Sequence, residues 1–239
     1  MDELTPPPEP VLQLEGVTVR YDAAERPAVD GVTLSLHRGE RLALVGLNGS
    51  GKSTLLLALA GLVPFTGRAA VAGVPVERRT LSAVRRKLGF LFSTPDDQLL
   101  FPRVLDDVGF ALRERGVARE EVEPRARRIL ERLGIADLAE LGPHRLSQGQ
   151  RVRVALAGAM VAEPDLLLLD EPSDSLDPVG RTRLAEILTR SAAGMLIATH
   201  DLAFAREVCT DFALLRRGVL ASGPRPIDEL HEDLFAESD

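Results

Sequence analysis

A glycine-rich segment near residue 50 has the composition and spacing of a phosphate-binding loop. It runs from Gly46 to Ser53, reads GLNGSGKS and fits the pattern G-x-x-x-x-G-K-[ST]. Its glycines let successive backbone N–H groups turn towards one anion, and a helix that begins near Lys52 adds its positive N-terminal dipole. We expect Lys52 to reach the β- and γ-phosphates of a nucleoside triphosphate as a catalytic residue, and the Ser53 hydroxyl to ligate Mg²⁺. The residues predicted to bind the nucleotide here are Gly46, Asn48, Gly49, Ser50, Gly51, Lys52, Ser53 and Thr54.

A chance glycine-rich turn is the alternative explanation of this loop. It is disfavoured because the apolar run Arg41–Val45 precedes the loop and a segment of helical composition, Lys52–Ala60, follows it. Strand, glycine-rich loop and helix is the order that a phosphate-binding unit requires.

Two carboxylates follow an apolar run in the second half of the chain. The sequence Leu166–Leu169 reads as a buried strand, and Asp170 and Glu171 come directly after it. Ligands of open α/β sheets bind at the carboxyl edge of the strands. We expect Asp170 to hold Mg²⁺, directly or through water, and Glu171 to be the general base for the attacking water. A strand that simply ends at the surface in charged residues is the alternative, and a phosphate loop upstream argues against it.

A third segment, LSQGQ at residues 146–150, has the composition of a helix start. Ser147 is expected to cap the following helix, and Gln150, at its third position, to complete a capping box. Gly149 leaves the helix start open to an anion. An ordinary helix cap without a ligand is the alternative.

Alternating and apolar runs predict the strands that position these segments. Residues from about Ser93 to Val161 are mostly helical in pattern, and Glu120–Leu133 places an apolar stripe on one face. Together they predict one α/β domain with a helical insertion. The predicted strands are Val11–Arg20, Val32–Leu36, Arg41–Val45, Arg68–Val76, Leu88–Phe92, Leu166–Leu169, Met195–Thr199 and Phe212–Leu215.

Composition excludes several classes of protein. The 239 residues are 45% hydrophobic and 27% charged, with a net charge of −7, which argues against nucleic-acid binding through a global basic field. Cys209 is the only cysteine, so no intrachain disulfide is possible and a reducing compartment is expected. The longest apolar runs, Leu55–Val63 and Leu166–Leu169, are too short to span a bilayer, and the acidic start lacks the features of a signal peptide. Attachment to a membrane is therefore expected only through a partner.

The segment LSQGQ, followed by a helix and then LLLLDEP, resembles the signature of ATP-binding cassette (ABC) ATPases and its spacing to the acidic pair. The resemblance covers residues 11–222. It implies an α/β fold: a P-loop NTPase (RecA-like) core over residues 11–223, with an antiparallel β subdomain and a helical insertion subdomain at about 93–161. Residues 1–10 are then expected to be a disordered leader. Residues 224–239 are expected to be a C-terminal tail with at best a short acidic helix.

The same resemblance implies ATP hydrolysis at sites shared between two subunits. Ser147, Gly149 and Gln150 would bind the γ-phosphate of ATP held on the opposite subunit of a head-to-tail homodimer or heterodimer. A common form of the signature has Gly where this chain has Gln148, a difference that we expect to be tolerated because the backbone makes the contact.

Three further positions resemble functional positions of ABC ATPases. Tyr21 lies where an aromatic ring stacks on adenine, and His200 where a catalytic histidine contacts the γ-phosphate. The segment Ser173–Asp177 resembles the loop that lines the dimer interface. The alternatives are an ordinary tyrosine, a structural histidine at a strand end and a plain turn before Pro178.

The segment Phe92–Leu99, FSTPDDQL, resembles the F-Q-x-P-D-D-Q-[IL]-F segment of ATPases from energy-coupling-factor transporters, which import cobalt, nickel or vitamins. Val104–Phe110 continues the resemblance. It implies an integral membrane transport subunit as partner, a location at the cytoplasmic face of the cell membrane and no nucleic-acid partner. Ser93 stands where these ATPases have a Gln that reaches Mg²⁺, so its hydroxyl could ligate the metal only if the loop moves closer or a water intervenes. The apolar residues expected to dock the membrane subunit, or else to form a small local core, are Leu99, Leu100, Phe101 and Val104.

Three other functions remain open at this point. The chain could serve another class of ABC transporter, or it could be a soluble ABC ATPase that acts on DNA or ribosomes. It could also be a scaffold subunit that does not hydrolyse ATP, although Glu171 is present.

Overall fold

The computed structural model describes residues 9–21 and 25–229. Residues 1–8 of the predicted leader and residues 230–239 of the predicted tail lie outside the described part. The strands are β1 (Leu12–Val19), β2 (Val29–Leu36), β3 (Arg41–Val45), β4 (Thr66–Val71), β5 (Val74–Pro75), β6 (Leu88–Leu91), β7 (Leu166–Asp170), β8 (Gly194–Thr199), β9 (Asp211–Arg216) and β10 (Val219–Arg225). The helices are α1 (Lys52–Leu59), α2 (Leu81–Lys87), α3 (Val104–Glu114), α4 (Arg119–Arg132), α5 (Gln148–Met160), α6 (Pro178–Thr189) and α7 (Leu202–Val208).

A six-stranded sheet in the order β10-β9-β3-β8-β7-β6 forms the centre of the fold. All of its neighbouring pairs are parallel except β9–β10. Because side chains alternate along a strand, each strand contributes to two cores. Leu167 and Leu169 face the core shared with α3–α7, whereas Leu166 and Leu168 face the core shared with α1 and the second sheet. Burial on both faces explains why these strands have continuous apolar sequences.

The second sheet is antiparallel, with the order β2-β1-β4-β5. It packs across α1, whose Leu55, Leu56 and Leu59 are completely buried. Burial of each such leucine contributes roughly 1.5–3 kcal/mol, so α1 is held firmly at the end of the phosphate loop. The predicted antiparallel subdomain is confirmed.

Helices α3, α4 and α5 form the predicted helical insertion. On α4, Val122, Ala126, Ile129 and Leu130 are buried against the core, as the apolar stripe predicts. The start of α5 is therefore part of a packed helical subdomain, whose position determines where this helix begins.

Some elements differ from the sequence prediction. Strand β2 begins three residues earlier than predicted, and the predicted strand region Arg68–Val76 is a hairpin of β4 and β5. Helix α2 was missed because it buries only Val84 and so lacks an apolar stripe. Strand β10 was missed because it contains Gly223 and Pro224, which an edge strand tolerates. It extends to Arg225, two residues beyond the predicted domain boundary at 223.

Candidate functional site

The predicted phosphate loop joins β3 to α1, and close backbone packing fixes its shape. A Cβ atom at Gly46 would lie 2.3 Å from the Leu215 carbonyl oxygen. Gly51 has φ of 106°, and a Cβ atom there would lie 2.2 Å from the Ala28 carbonyl oxygen. Only glycine fits these two positions, so neighbouring chain segments as well as the nucleotide account for the pattern.

Lys52 is buried at the start of α1, with 6% of its surface exposed. Its Nζ donates to the carbonyl oxygens of Gly46 (2.9 Å) and Leu47 (3.4 Å) and lies 3.8 Å from Glu171 Oε1. The Ser50 Oγ is buried and has no hydrogen-bond partner among the described residues. The loop thus concentrates a cation and a free hydroxyl where the sequence predicts phosphate.

Ser53 and Asp170 meet between the loop and the end of β7. The Ser53 Oγ donates to Asp170 Oδ1 at 3.0 Å, and Asp170 is 4% exposed. Burial raises the pKa of Asp170, and the charge of Glu171 raises it further. The Ser53 hydrogen bond, the Lys52 charge and a Ser93 hydrogen bond lower it. Two hard oxygen donors at a poorly solvated carboxylate suit Mg²⁺, so the donor set fits that ion.

Ser93 lies near the predicted metal site, because its side chain is close enough to Asp170 to lower the pKa of that carboxyl. The short side chain therefore still faces the predicted metal site.

Glu171 begins the turn after β7 in an unusual backbone conformation. Its φ is 48°, in the left-handed region that non-glycine residues rarely adopt. The Glu171 N–H continues the sheet by donating to Ala198 O at 2.8 Å, and the Asp174 N–H closes the turn on Glu171 O at 3.1 Å. This conformation directs the carboxylate towards the end of β8, where His200 lies.

Glu171 and His200 are directly paired. The Glu171 Oε2 accepts from the His200 N–H at 3.2 Å and lies 3.1 Å from His200 Nδ1. The Glu171 hydrogen bond and charge raise the pKa of His200, and Asp174 adds to this effect. Because Glu171 also lies 3.8 Å from Lys52 Nζ, its carboxylate is placed between the Lys52 ammonium and the His200 ring, where the sequence predicts the general base.

The predicted capping box at the start of α5 is present. The Gln150 N–H donates to Ser147 Oγ at 3.3 Å, and the Ser147 N–H donates to Gln150 Oε1 at 2.8 Å. A Cβ atom at Gly149 would lie 3.0 Å from the Ser175 carbonyl oxygen. The start of α5 therefore packs on the loop that follows Glu171.

Tyr21 lies just after β1 and is 45% exposed. An exposed ring is compatible with stacking on a base, and the three residues after Tyr21 lie outside the described part of the chain.

Sequence reasoning missed Asp201, which organises the loop around His200. Its carboxylate accepts from Ser173 Oγ (3.2 Å) and from the Phe204 N–H at the start of α7 (3.0 Å), and it pairs with Arg181 at 2.9 Å. The Asp after a strand and before a helix was a capping signal that could have identified it.

The family model described as "ABC transporter" matches residues 29–174. The chain belongs to the ABC transporter family. The ATP-binding protein EcfA1 of an energy-coupling factor transporter from Bacillus subtilis is 42% identical over 198 residues, which are 80% of this chain and 70% of that protein.

Two solved structures of ABC transporter proteins have the same fold. CbiO1 from Clostridium perfringens, part of the ABC transporter complex cbiONQ, superposes with a TM-score of 0.81 at 30% identity over 95% of this chain and 93% of its own. A dimeric post-hydrolysis state of the ATP-binding cassette MJ0796, with ADP and Pi, gives a TM-score of 0.78 at 27% identity over 90% and 98%.

The chain is thus an ATPase subunit of an ABC transporter and binds and hydrolyses ATP. The predicted fold class is confirmed. None of the described helices is long and apolar enough to cross a membrane.

Proposed function

We propose that this chain powers an energy-coupling-factor type importer of cobalt or nickel ions or of vitamins, bound to the cytoplasmic face of the cell membrane. The ATP-driven part of the proposal is carried by the convergence of Lys52, Ser53, Asp170, Glu171 and His200 at one edge of the central sheet. These residues supply a cation that can bind phosphate, oxygen atoms that can ligate a metal ion and a carboxylate that can accept a proton from water. All of these groups lie within contact distance of a neighbour in the set.

Each residue has a distinct task in this proposal. Lys52 leaves the Gly46 and Leu47 carbonyls and pairs with the β- and γ-phosphates, and Ser53 and Asp170 hold Mg²⁺. When bound, Mg²⁺ neutralises charge on the phosphate oxygens. Glu171 takes a proton from the attacking water as the water oxygen bonds to the γ-phosphorus and the bond to the ADP oxygen breaks.

His200 serves as a donor beside the base. It holds the Glu171 carboxylate through its N–H and ring, and its raised pKa favours the protonated ring that a γ-phosphate oxygen would need as donor. Tyr21 stacks on adenine, with its exposed ring as support.

A second ABC ATPase, either another copy or a related chain, completes each site. The capped N-terminus of α5 offers its positive dipole and the Gly149 N–H, between Ser147 and Gln150, to a phosphate on the opposite subunit. The dimeric structure of MJ0796 with ADP and Pi supports this arrangement by similarity.

The similarity to EcfA1 of B. subtilis and to cbiO1, part of cbiONQ, supports the importer type and an integral membrane partner. The exposed side chain of Leu100, beside Phe101 and half-exposed Phe110, gives the helical subdomain an apolar surface for such a partner.

The test is purification of the tagged chain from washed native membranes. We expect integral membrane proteins to co-purify and the complex to hydrolyse ATP. The Lys52→Ala variant should keep the partners and lose hydrolysis. Recovery of the chain without integral membrane proteins, or activity that survives Lys52→Ala, would overturn the proposal. Uptake of labelled cobalt, nickel and vitamins by cells with and without the chain then distinguishes the solutes.

A further inference from the structure

Three side chains with metal-binding atoms meet beside the predicted Mg²⁺ site. The ligand atoms of Glu171, Asp174 and His200 all lie within 4.8 Å of one another. This set combines one imidazole nitrogen with two carboxylates, whereas Ser53 and Asp170 offer only oxygen atoms. Imidazole suits zinc, cobalt and nickel ions, while Mg²⁺ prefers oxygen ligands throughout. The two neighbouring sets therefore suit different classes of metal ion.

Backbone hydrogen bonds bring the three side chains together from two segments of the chain. The Asp174 N–H donates to the Glu171 carbonyl oxygen at 3.1 Å, so the chain turns back on itself directly after β7. His200 directly follows β8, the parallel neighbour of β7. The Glu171 N–H donates to Ala198 O at 2.8 Å and holds the two strand ends side by side. Sheet pairing thus fixes the backbone positions of all three side chains.

The spacing of Glu171 and His200 suits two ligands of one ion. Glu171 Oε2 lies 3.1 Å from His200 Nδ1. With metal–ligand distances of about 2.1 Å, this separation corresponds to an angle of about 95° at the metal, between the octahedral and tetrahedral values. Lys52 lies on the other side of the carboxylate, 3.8 Å from Glu171 Oε1, and so leaves Oε2 facing His200.

Asp174 completes the set with an exposed carboxylate. Two ligands of one ion lie at most about 4.2 Å apart, so the present limit of 4.8 Å requires a shift of less than about 1 Å. Rotation of an exposed side chain supplies such a shift without moving the backbone.

We propose that Glu171, Asp174 and His200 bind a divalent ion of the zinc, cobalt and nickel group, and that the bound ion inhibits ATP hydrolysis. The ion would occupy the carboxylate that accepts a proton from the attacking water and the ring that contacts the γ-phosphate. Inhibition therefore rests on the proposed function, whereas binding rests on the geometry of the three side chains.

Isothermal titration calorimetry with Zn²⁺ tests the site on the untagged full chain without nucleotide. We expect the wild type to bind one ion through this site. Asp174→Asn and His200→Gln should each weaken Zn²⁺ binding at least about tenfold, since the loss even of a residue that supports a metal ligand has an effect of this size. Co²⁺ supplies a second readout, because its visible absorption bands should shift when the nitrogen ligand is lost in His200→Gln.

His144→Gln and Asp137→Asn are matched controls. They make the same chemical changes at exposed positions outside the site and should keep the wild-type affinity for Zn²⁺. Wild-type affinity in His200→Gln or in Asp174→Asn would overturn the inference. A tenfold loss in either control would also overturn it, because the ion would then bind elsewhere on the surface.

The inhibitory role is tested by ATP hydrolysis at free Zn²⁺ concentrations set with a metal buffer, at constant excess of Mg²⁺ and ATP. The Zn²⁺ concentration that halves turnover should be at least about tenfold higher in Asp174→Asn than in the wild type, each relative to its own rate without Zn²⁺. Equal sensitivity of the two proteins would overturn this role. A wild type that binds Zn²⁺ but hydrolyses no ATP when Zn²⁺ is absent would instead contradict the proposed function.

Discussion

The Gln98 side chain attaches the segment after β6 to α5 and β6 through hydrogen bonds to the Ala155 and Phe90 carbonyl oxygens. Its replacement by Glu should change the stability of the protein in a way that depends on pH. Gln98→Glu keeps the size of the side chain but replaces a donor by an acceptor that faces the Phe90 and Ala155 carbonyl oxygens. Two donated hydrogen bonds are lost, at about 1 kcal/mol each, and the apposed oxygens add about 1 kcal/mol or more. We expect the free energy of unfolding to fall by about 3 kcal/mol at pH 7.5.

The destabilisation should depend on pH with a definite sign. The facing carbonyls raise the pKa of the introduced carboxyl in the folded state above its unfolded value. The penalty is therefore complete above the folded pKa and shrinks as the pH falls through it, because a protonated carboxyl can donate to one carbonyl. Urea unfolding at pH 7.5 and 5.5 should show the difference from wild type narrowing by about 1 kcal/mol.

Gln98→Ala is the control, because it loses the same bonds without adding a carboxyl, and its difference from wild type should not change between these pH values. If the free energy of unfolding of Gln98→Glu lies within about 0.5 kcal/mol of the wild-type value at pH 7.5, the Gln98 hydrogen bonds do not stabilise the attachment of this segment.

Three further predictions concern the site itself. Ser93→Gln should leave the ATP dissociation constant within about twofold but change turnover in the presence of the membrane partner, since Ser93 lies near Asp170 and not in the phosphate loop. Unchanged turnover would show that this position has no role in hydrolysis. Asp170→Asn should raise the free energy of unfolding of the Mg²⁺-free protein at pH 7.5, because burial raises the pKa of Asp170 in the folded state and penalises its charged form. This gain in stability should shrink as the pH falls through that pKa. Equal stability of the variant and the wild type at pH 7.5 would contradict the prediction. Gly51→Ala should lower the free energy of unfolding by about 3 kcal/mol or more, because its Cβ would meet the Ala28 carbonyl oxygen at 2.2 Å and an alanine with φ of 106° is strained. Gly49→Ala is the control: Gly49 has open space around it, so this change should lower the free energy of unfolding by only about 1 kcal/mol. Chemical unfolding measures both.

Much of the core could be predicted from sequence because its signals are local. The strand β3, the glycine loop and α1 are contiguous, so pattern and spacing define them together, and Leu166–Asp170 is apolar enough to be read as a buried strand. The capping box at Ser147 and Gln150 can likewise be predicted from four consecutive residues.

The remaining features depend on contacts between distant segments. No local sequence pattern shows that the Ala28 and Leu215 carbonyl oxygens lie against the phosphate loop. Nor does one show that Asp201 accepts a hydrogen bond from Ser173 and forms an ion pair with Arg181. Strand β10 pairs with β9 despite Gly223 and Pro224, because an edge position tolerates them. Such features appear only when the chain is folded.

We propose that ATP binds at a site that a second chain completes and that Glu171 is the base. Glu171→Gln keeps the size of the side chain and removes the base, so ATP stays bound and the sites stay closed. Light scattering of this variant with MgATP should give the mass of two chains, and the mass of one chain without nucleotide. The double variant with Lys52→Ala should remain monomeric. A Glu171→Gln protein that carries ATP and still has the mass of one chain would contradict the account.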